Sequence, residues 1–122
     1  MFLRFGILWA MLASITGGAT ACDGLRMTRS CDLREVDDHC QEYGVFGPDM
    51  VALQGTCAAV DGVWGDGPCP RADVLGGCED IDPSNPWDVT KWYYAGLDED
   101  LTSAEDVEAE CDEGTERFVP AP

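Results

Sequence analysis

Basic residues are scarce in this chain: 7 Lys and Arg stand against 24 Asp and Glu in 122 residues, a formal charge of −17. Phosphate recognition needs clustered Lys and Arg, so nucleic acid is not an expected partner. Histidine occurs once, at His39, and no C-x-x-C occurs among the cysteines. The gaps between the six cysteines from Cys31 to Cys111 are 8, 16, 11, 8 and 32 residues. That spacing argues against a clustered Cys/His zinc site and against a thioredoxin-type redox pair. Neither a G-x-S-x-G elbow nor a phosphate-binding glycine loop is present. A chain this short holds one small domain without a large substrate cleft. No enzymatic activity, metal or cofactor is therefore expected, and nothing singles out an acid pair for glycoside hydrolysis. Long apolar runs are missing too. The longest, from Phe5 to Ile15, is about half of the roughly 20 residues that a spanning helix requires.

What is present at the start of the chain points to export. Residues 1–21 contain no acid, a single Arg4, the apolar run, and then a small-residue stretch ending in Ala19-Thr20-Ala21. This is the layout of a secretory signal peptide with its cleavage site. Cys22 follows directly, and Ala19-Thr20-Ala21-Cys22 resembles the lipobox of bacterial lipoproteins, with Ala19 where that pattern prefers Leu. The resemblance implies a lipidated Cys22 that becomes the new N-terminus and holds the protein to a membrane. The alternative is ordinary cleavage that leaves Cys22 as a thiol. Parity favours lipidation, because the remaining Cys31, Cys40, Cys57, Cys69, Cys78 and Cys111 can close three disulfides with nothing left over.

From Cys22 onward the chain has 101 residues, 24 acids and 6 bases, so removing the signal deepens the charge to −18. Only 26 of these residues are large and apolar, a thin core that three disulfides would have to support. Residues 22–30 read as a tether and 31–122 as a cysteine-rich acidic domain. Three segments carry apolar residues at helical spacing: Leu33, Val36, Cys40 and Tyr43, closed by Gly44; Met50, Leu53, Cys57 and Val60, closed by Gly62; and Leu101, Ala104, Val107 and Cys111, opened by Thr102 with Glu105 and closed by Gly114. The stretches 62–69, 73–80 and 89–94 read as short strands between Gly/Pro turns. Cys57 and Trp64 match Cys111 and Phe118 in spacing, a weak internal repeat of helix, glycine stop and strand with an inward aromatic. The expected fold is α+β, three short helices packed on a short antiparallel sheet. On that reading Cys31 and Cys40 flank one helix too far apart to bond, and Cys40, Cys57 and Cys111 each join one of Cys31, Cys69 and Cys78.

Few residues suggest chemistry. His39 beside Cys40 reads as a surface histidine, since Cys40 lies on the apolar stripe. Asp80, Asp82 and Ser84 begin like a calcium loop, but Asn85 replaces the turn glycine and Lys91 the closing Glu. The Cys69–Cys78 loop, with Arg71 near its start, suggests a secreted protease inhibitor, against the plainer reading of a stapled hairpin. A small hydrolase is a further alternative. Trp87, Trp92, Tyr93 and Tyr94 suggest a surface that binds glycan or protein, unless the core claims them.

The whole arrangement, Cys57-x4-Gly62-x-Trp64, Cys69-Pro70, Gly76-Gly77-Cys78, Trp92-Tyr93-Tyr94, Cys111 and Phe118, resembles small cysteine-rich exported bacterial proteins with lipoprotein-type signals. That resemblance implies an architecture and an address, and carries no activity. The expectation is a lipid-anchored acidic module at the cell envelope with a structural or binding role, meeting the membrane through Cys22 and an unknown protein or glycan through its surface.

Overall fold

A computed structural model describes residues 26–122; the signal segment and Cys22 lie outside the described residues. Six strands and two helices follow in the order β1 (Met27–Asp32), β2 (His39–Val45), α1 (Gly47–Ala59), β3 (Val63–Gly65), β4 (Val74–Asp80), β5 (Asp88–Tyr94), α2 (Ala104–Glu110) and β6 (Glu116–Pro120). The strands form one antiparallel sheet in the order β3-β1-β2-β5-β4-β6. The expected α+β arrangement of three helices on a short sheet is thus corrected to a sheet-dominated fold carrying two helices.

The missing helix is the segment from Leu33 to Tyr43. Leu33–Asp38 instead form a tight turn, closed by Val36 and Asp37 N–H groups donating to the Leu33 carbonyl at 3.1 and 2.6 Å. The rest is strand β2. In a strand, Cys40 and Tyr43 fall on opposite faces, where a helix would have put them on one. Cys40 goes to the back to meet Cys69, while Tyr43 and Val45 go to the front core. Gly44 is accordingly a mid-strand residue and stops no helix. Residues 27–30, expected in the tether, belong to β1.

The other two helical segments are present with shifted ends. Pro48 sits in the first turn of α1, where its missing N–H costs nothing. At α2 the capping box is Ser103 with Asp106, one residue beyond the expected Thr102 and Glu105; the Asp106 carboxylate takes the Ser103 N–H and both the N–H and hydroxyl of Thr102. Those bonds hold the Asp106 carboxyl below the usual aspartate range. A carboxyl depressed by folding supports the fold above its unfolded pKa and releases that support as pH falls through its folded value. The protection factors of the α2 amides are therefore expected to fall below about pH 4 ahead of those of the central strands. An α2 still protected at pH 2 would contradict the capping role.

The halves of the sheet repeat one another. β1, β2, α1 and β3 correspond in order and pairing to β4, β5, α2 and β6, so that the strand order reads as a palindrome about the β2–β5 ladder. In the first half Cys31 sits opposite Gln41 and Trp64, and bonds Cys57 at the end of α1. In the second, Cys78 sits opposite Lys91 and Phe118, and bonds Cys111 at the end of α2. Tyr43 and Tyr93 are equivalent core residues, as are Leu53 and Val107. Both helices lie on the front face, each stapled to its own half. Gln41 and Lys91, directly paired, mark the approximate two-fold.

The back face carries no helix. Its centre holds Cys40, Trp92 and Tyr94, covered by the 66–73 connection between the halves. Cys69 of that strap bonds Cys40, the Tyr94 hydroxyl donates to the Pro70 carbonyl at 2.6 Å, and the Arg71 guanidinium lies 4.9 Å from the Trp92 ring centroid while pairing with Glu42. Two core clusters in front and one behind thus replace a single large core.

Candidate functional site

Between the helices, the middle of the front face stays open. Two cavities occupy it, one in each half. The first, about 370 Å³, is lined by Leu33, Val36, Asp37, His39, Thr56 and Val60 with Gln41 at its inner edge. The second, about 310 Å³, is lined by Asp80, Asp82, Asp112, Thr115 and Glu116 with Lys91 at its inner edge. Gln41 and Lys91 are cross-strand partners on one face, so each cavity reaches the central β2–β5 ladder from its own half. The two differ in chemistry: Leu33, Val36 and Val60 give the first an apolar wall, whereas carboxylates wall the second.

The apolar half contains the one convergence of potential ligands. Among the described residues, Asp37, Asp38 and His39 form the only group of three His, Cys, Asp or Glu donors close enough to share a cation, with donor atoms all within 4.8 Å of one another. The β1–β2 turn creates it. Asp32, at the end of β1, accepts the Arg34 N–H and both sides of its guanidinium, which fixes the turn's first half. Leu33 anchors the turn in the core, and its N–H donates to the His39 carbonyl at 3.1 Å. The chain then enters β2 with His39 facing front, its ring 5.7 Å from that of Tyr93.

His39 is not a surface residue, as sequence spacing suggested; its side chain is 12% exposed. The Tyr43 hydroxyl donates to Gln41 Oε1, which turns Gln41 Nε2 toward His39 Nε2 at 3.3 Å. On the other side of the ring, Nδ1 meets Asp38 Oδ1 at 3.1 Å and Asp37 Oδ2 at 3.8 Å. Burial pushes the Asp38 carboxyl up despite its His39 contact. Tyr93 behind it is pushed up to about 12, by burial first and then by the neighbouring carboxylates Asp38 and Glu116. Cys40, the next residue, points to the opposite face and is bonded to Cys69, so no thiol faces this histidine.

The other sequence candidates are placed elsewhere. Asp80 and Asp82 line the second cavity, but their oxygens are used locally: Asp80 accepts the Asp82 N–H and the Asn85 amide, and Asp82 accepts the N–H and hydroxyl of Ser84. They make a turn and do not converge as a calcium loop. Cys69 and Cys78 are not bonded to each other, and Arg71 is clamped on Trp92 and Glu42 rather than displayed on a stapled loop. Trp92, Tyr93 and Tyr94 are core residues, and Trp87 packs against the first cluster, so this group forms no aromatic binding platform. A further cavity of about 490 Å³ lies beside Tyr94, where the Arg34 guanidinium, paired with Asp32, sits over the ring 4.8 Å from its centroid.

Charge completes the picture. All six basic residues among the described ones are ion-paired: Arg26 with Asp88, Arg29 with Asp66, Arg34 with Asp32, Arg71 with Glu42, Lys91 with Glu116, and Arg117 with Glu79. The charge left for a partner is carboxylate. Three disulfides in so small a domain define a disulfide-stapled extracellular protein, folded in an oxidising environment. Among the described residues no helix is long and apolar enough to cross a membrane. No family model, curated protein or solved structure matches the chain.

Proposed function

We propose that this protein is a non-catalytic binding or structural module of the bacterial cell envelope, exported by its signal peptide and anchored through a lipidated Cys22. One observation carries the reading: the other six cysteines are bonded to one another. None of them is left to take Cys22 as a disulfide partner, which fits a cysteine reserved for acylation beside its cleavage site. A single acyl chain holds a protein weakly, whereas the additional chains of a lipoprotein anchor hold it stably. The open front face between the helices, with its apolar and acidic halves, is the surface that would meet a protein or glycan partner.

The test is fractionation with intact-mass measurement. The native protein is expected in the membrane fraction with the mass of acyl groups on Cys22, and Cys22→Ser in the soluble fraction. Membrane retention of Cys22→Ser, or a native mass matching the bare chain from Cys22, would sink the anchoring claim.

A further inference from the structure

We propose that Asp37, Asp38 and His39 bind a divalent transition-metal ion of the zinc type at the rim of the first front cavity. This goes beyond the envelope role and does not depend on Cys22.

Donor geometry is the first support. Zinc takes N and O ligands at about 2.0–2.2 Å in tetrahedral array, which puts neighbouring donors about 3.3–3.6 Å apart. His39 Nδ1 lies 3.1 Å from Asp38 Oδ1 and 3.8 Å from Asp37 Oδ2, bracketing that spacing. All three donor atoms lie within 4.8 Å of one another, and rotation of the exposed Asp37 side chain closes the remaining gap onto one ion. The set also selects its metal. An imidazole with two carboxylates suits first-row transition ions, whereas calcium requires six to eight oxygens.

The surroundings are the second support. Asp37 and His39 line the 370 Å³ cavity on one side, and Asp37 and Asp38 line a 440 Å³ cavity on the other, shared with Glu35, Asp98 and Glu99. Water can therefore fill the fourth position from either side, and the second cavity adds carboxylates that attract a cation. The only base lining it, Arg34, is already held by Asp32. Behind the histidine, Gln41 supplies what a ligating imidazole needs. Metal on Nδ1 requires the proton on Nε2, and a half-turn of the Gln41 amide presents its oxygen to that proton while Tyr43 turns to accept from the nitrogen. The equivalent position in the other half is Val89, opposite Tyr43, so the repeat has built this site once.

The test uses the oxidised protein, prepared without a polyhistidine tag, with zinc chloride as the probe. His39 is the only histidine in the chain, so its ring resonances report the site without ambiguity. One equivalent of zinc is expected to bind saturably and shift those resonances, and equimolar calcium to leave them unmoved. His39→Gln should abolish the one-equivalent isotherm. Asp37→Asn changes an exposed side chain and keeps the fold, and should weaken binding at least tenfold. The proposal is overturned if zinc binds Asp37→Asn and the native protein equally, if calcium shifts the His39 ring as zinc does, or if no zinc binds below millimolar concentration.

Discussion

Reduction of the three disulfides is expected to unfold this protein at 25 °C. The bonds close chain segments of 26, 29 and 33 residues. By the chain-entropy relation each contributes about 3.5 kcal/mol by restricting the unfolded chain. Their spans overlap between Cys31–Cys57 and Cys40–Cys69, so the three together are worth less than the sum. Even so, the loss is comparable with the whole stability of a small domain, about 5–15 kcal/mol. Nothing else in the molecule compensates. The core is split into three small clusters, and the excess of carboxylates favours expansion. The measurement is far-ultraviolet circular dichroism through a thermal scan, with and without reductant, with thiol trapping to count the opened bonds. A fully reduced chain that still melts cooperatively above room temperature would refute the argument. Paired replacement of Cys40 and Cys69 should be milder than loss of all three, because each half keeps its own strand-to-helix bond.

The second large effect is expected at Gly62. A Cβ there would collide with Cys31 Sγ, with Cys57 Sγ at 2.7 Å and with Leu33 Cδ2 at 2.9 Å. Two of these atoms belong to a disulfide and the third to the buried anchor of the β1–β2 turn, so none can move freely. Gly62→Ala should cost about 2–3 kcal/mol, the upper part of the range for overpacking a core. In a domain of about 100 residues this lowers Tm by roughly 10–20 °C. Gly55, whose Cβ would meet nothing within 4 Å, is the control: Gly55→Ala in the middle of α1 should stabilise by about 0.5–1 kcal/mol. A Gly62→Ala protein as stable as the parent would show that the disulfide is not packed against this glycine.

Gly62 also shows how a sequence signal can be right for another reason. It read as a helix stop, which places a glycine in left-handed conformation just past the last turn. The helix does end there, but the left-handed residue is Asp61, at φ 60°. Gly62 is small because the disulfide lies against it. The weak repeat fared similarly. Cys57 with Trp64 and Cys111 with Phe118 do mark equivalent helix–strand units, yet the repeat is twice as long as those residues indicated. The preceding strand pairs have diverged in everything but the bonded cysteines Cys31 and Cys78 and the tyrosines Tyr43 and Tyr93, too few to stand out by spacing alone.

The ligand cluster was illegible for a related reason. Three consecutive residues, Asp37-Asp38-His39, point apart on a regular helix, which is what the apolar spacing of this segment predicts. A tight turn followed by strand entry brings their donor atoms together.

Composition and local pattern were enough to establish an acidic, disulfide-stapled domain, two of its helices and three of its strands. These follow from counts, caps and periodicity within a few residues of chain. Cys40, Cys57 and Cys111 do bond Cys69, Cys31 and Cys78 as expected, but Cys40 does so from a strand and not from the helix on which that expectation rested. The sheet's palindromic order, the strand identity of β1 and β2, and the meeting of Asp37, Asp38 and His39 did not follow, because they depend on partners distant in sequence. Leu33, Val36, Cys40 and Tyr43 fit helical spacing as well as they fit a turn and a strand. The choice fell to Cys69, which draws Cys40 to the back face, and to the core that draws Tyr43 to the front. Tertiary partners on both faces of a segment override its local period.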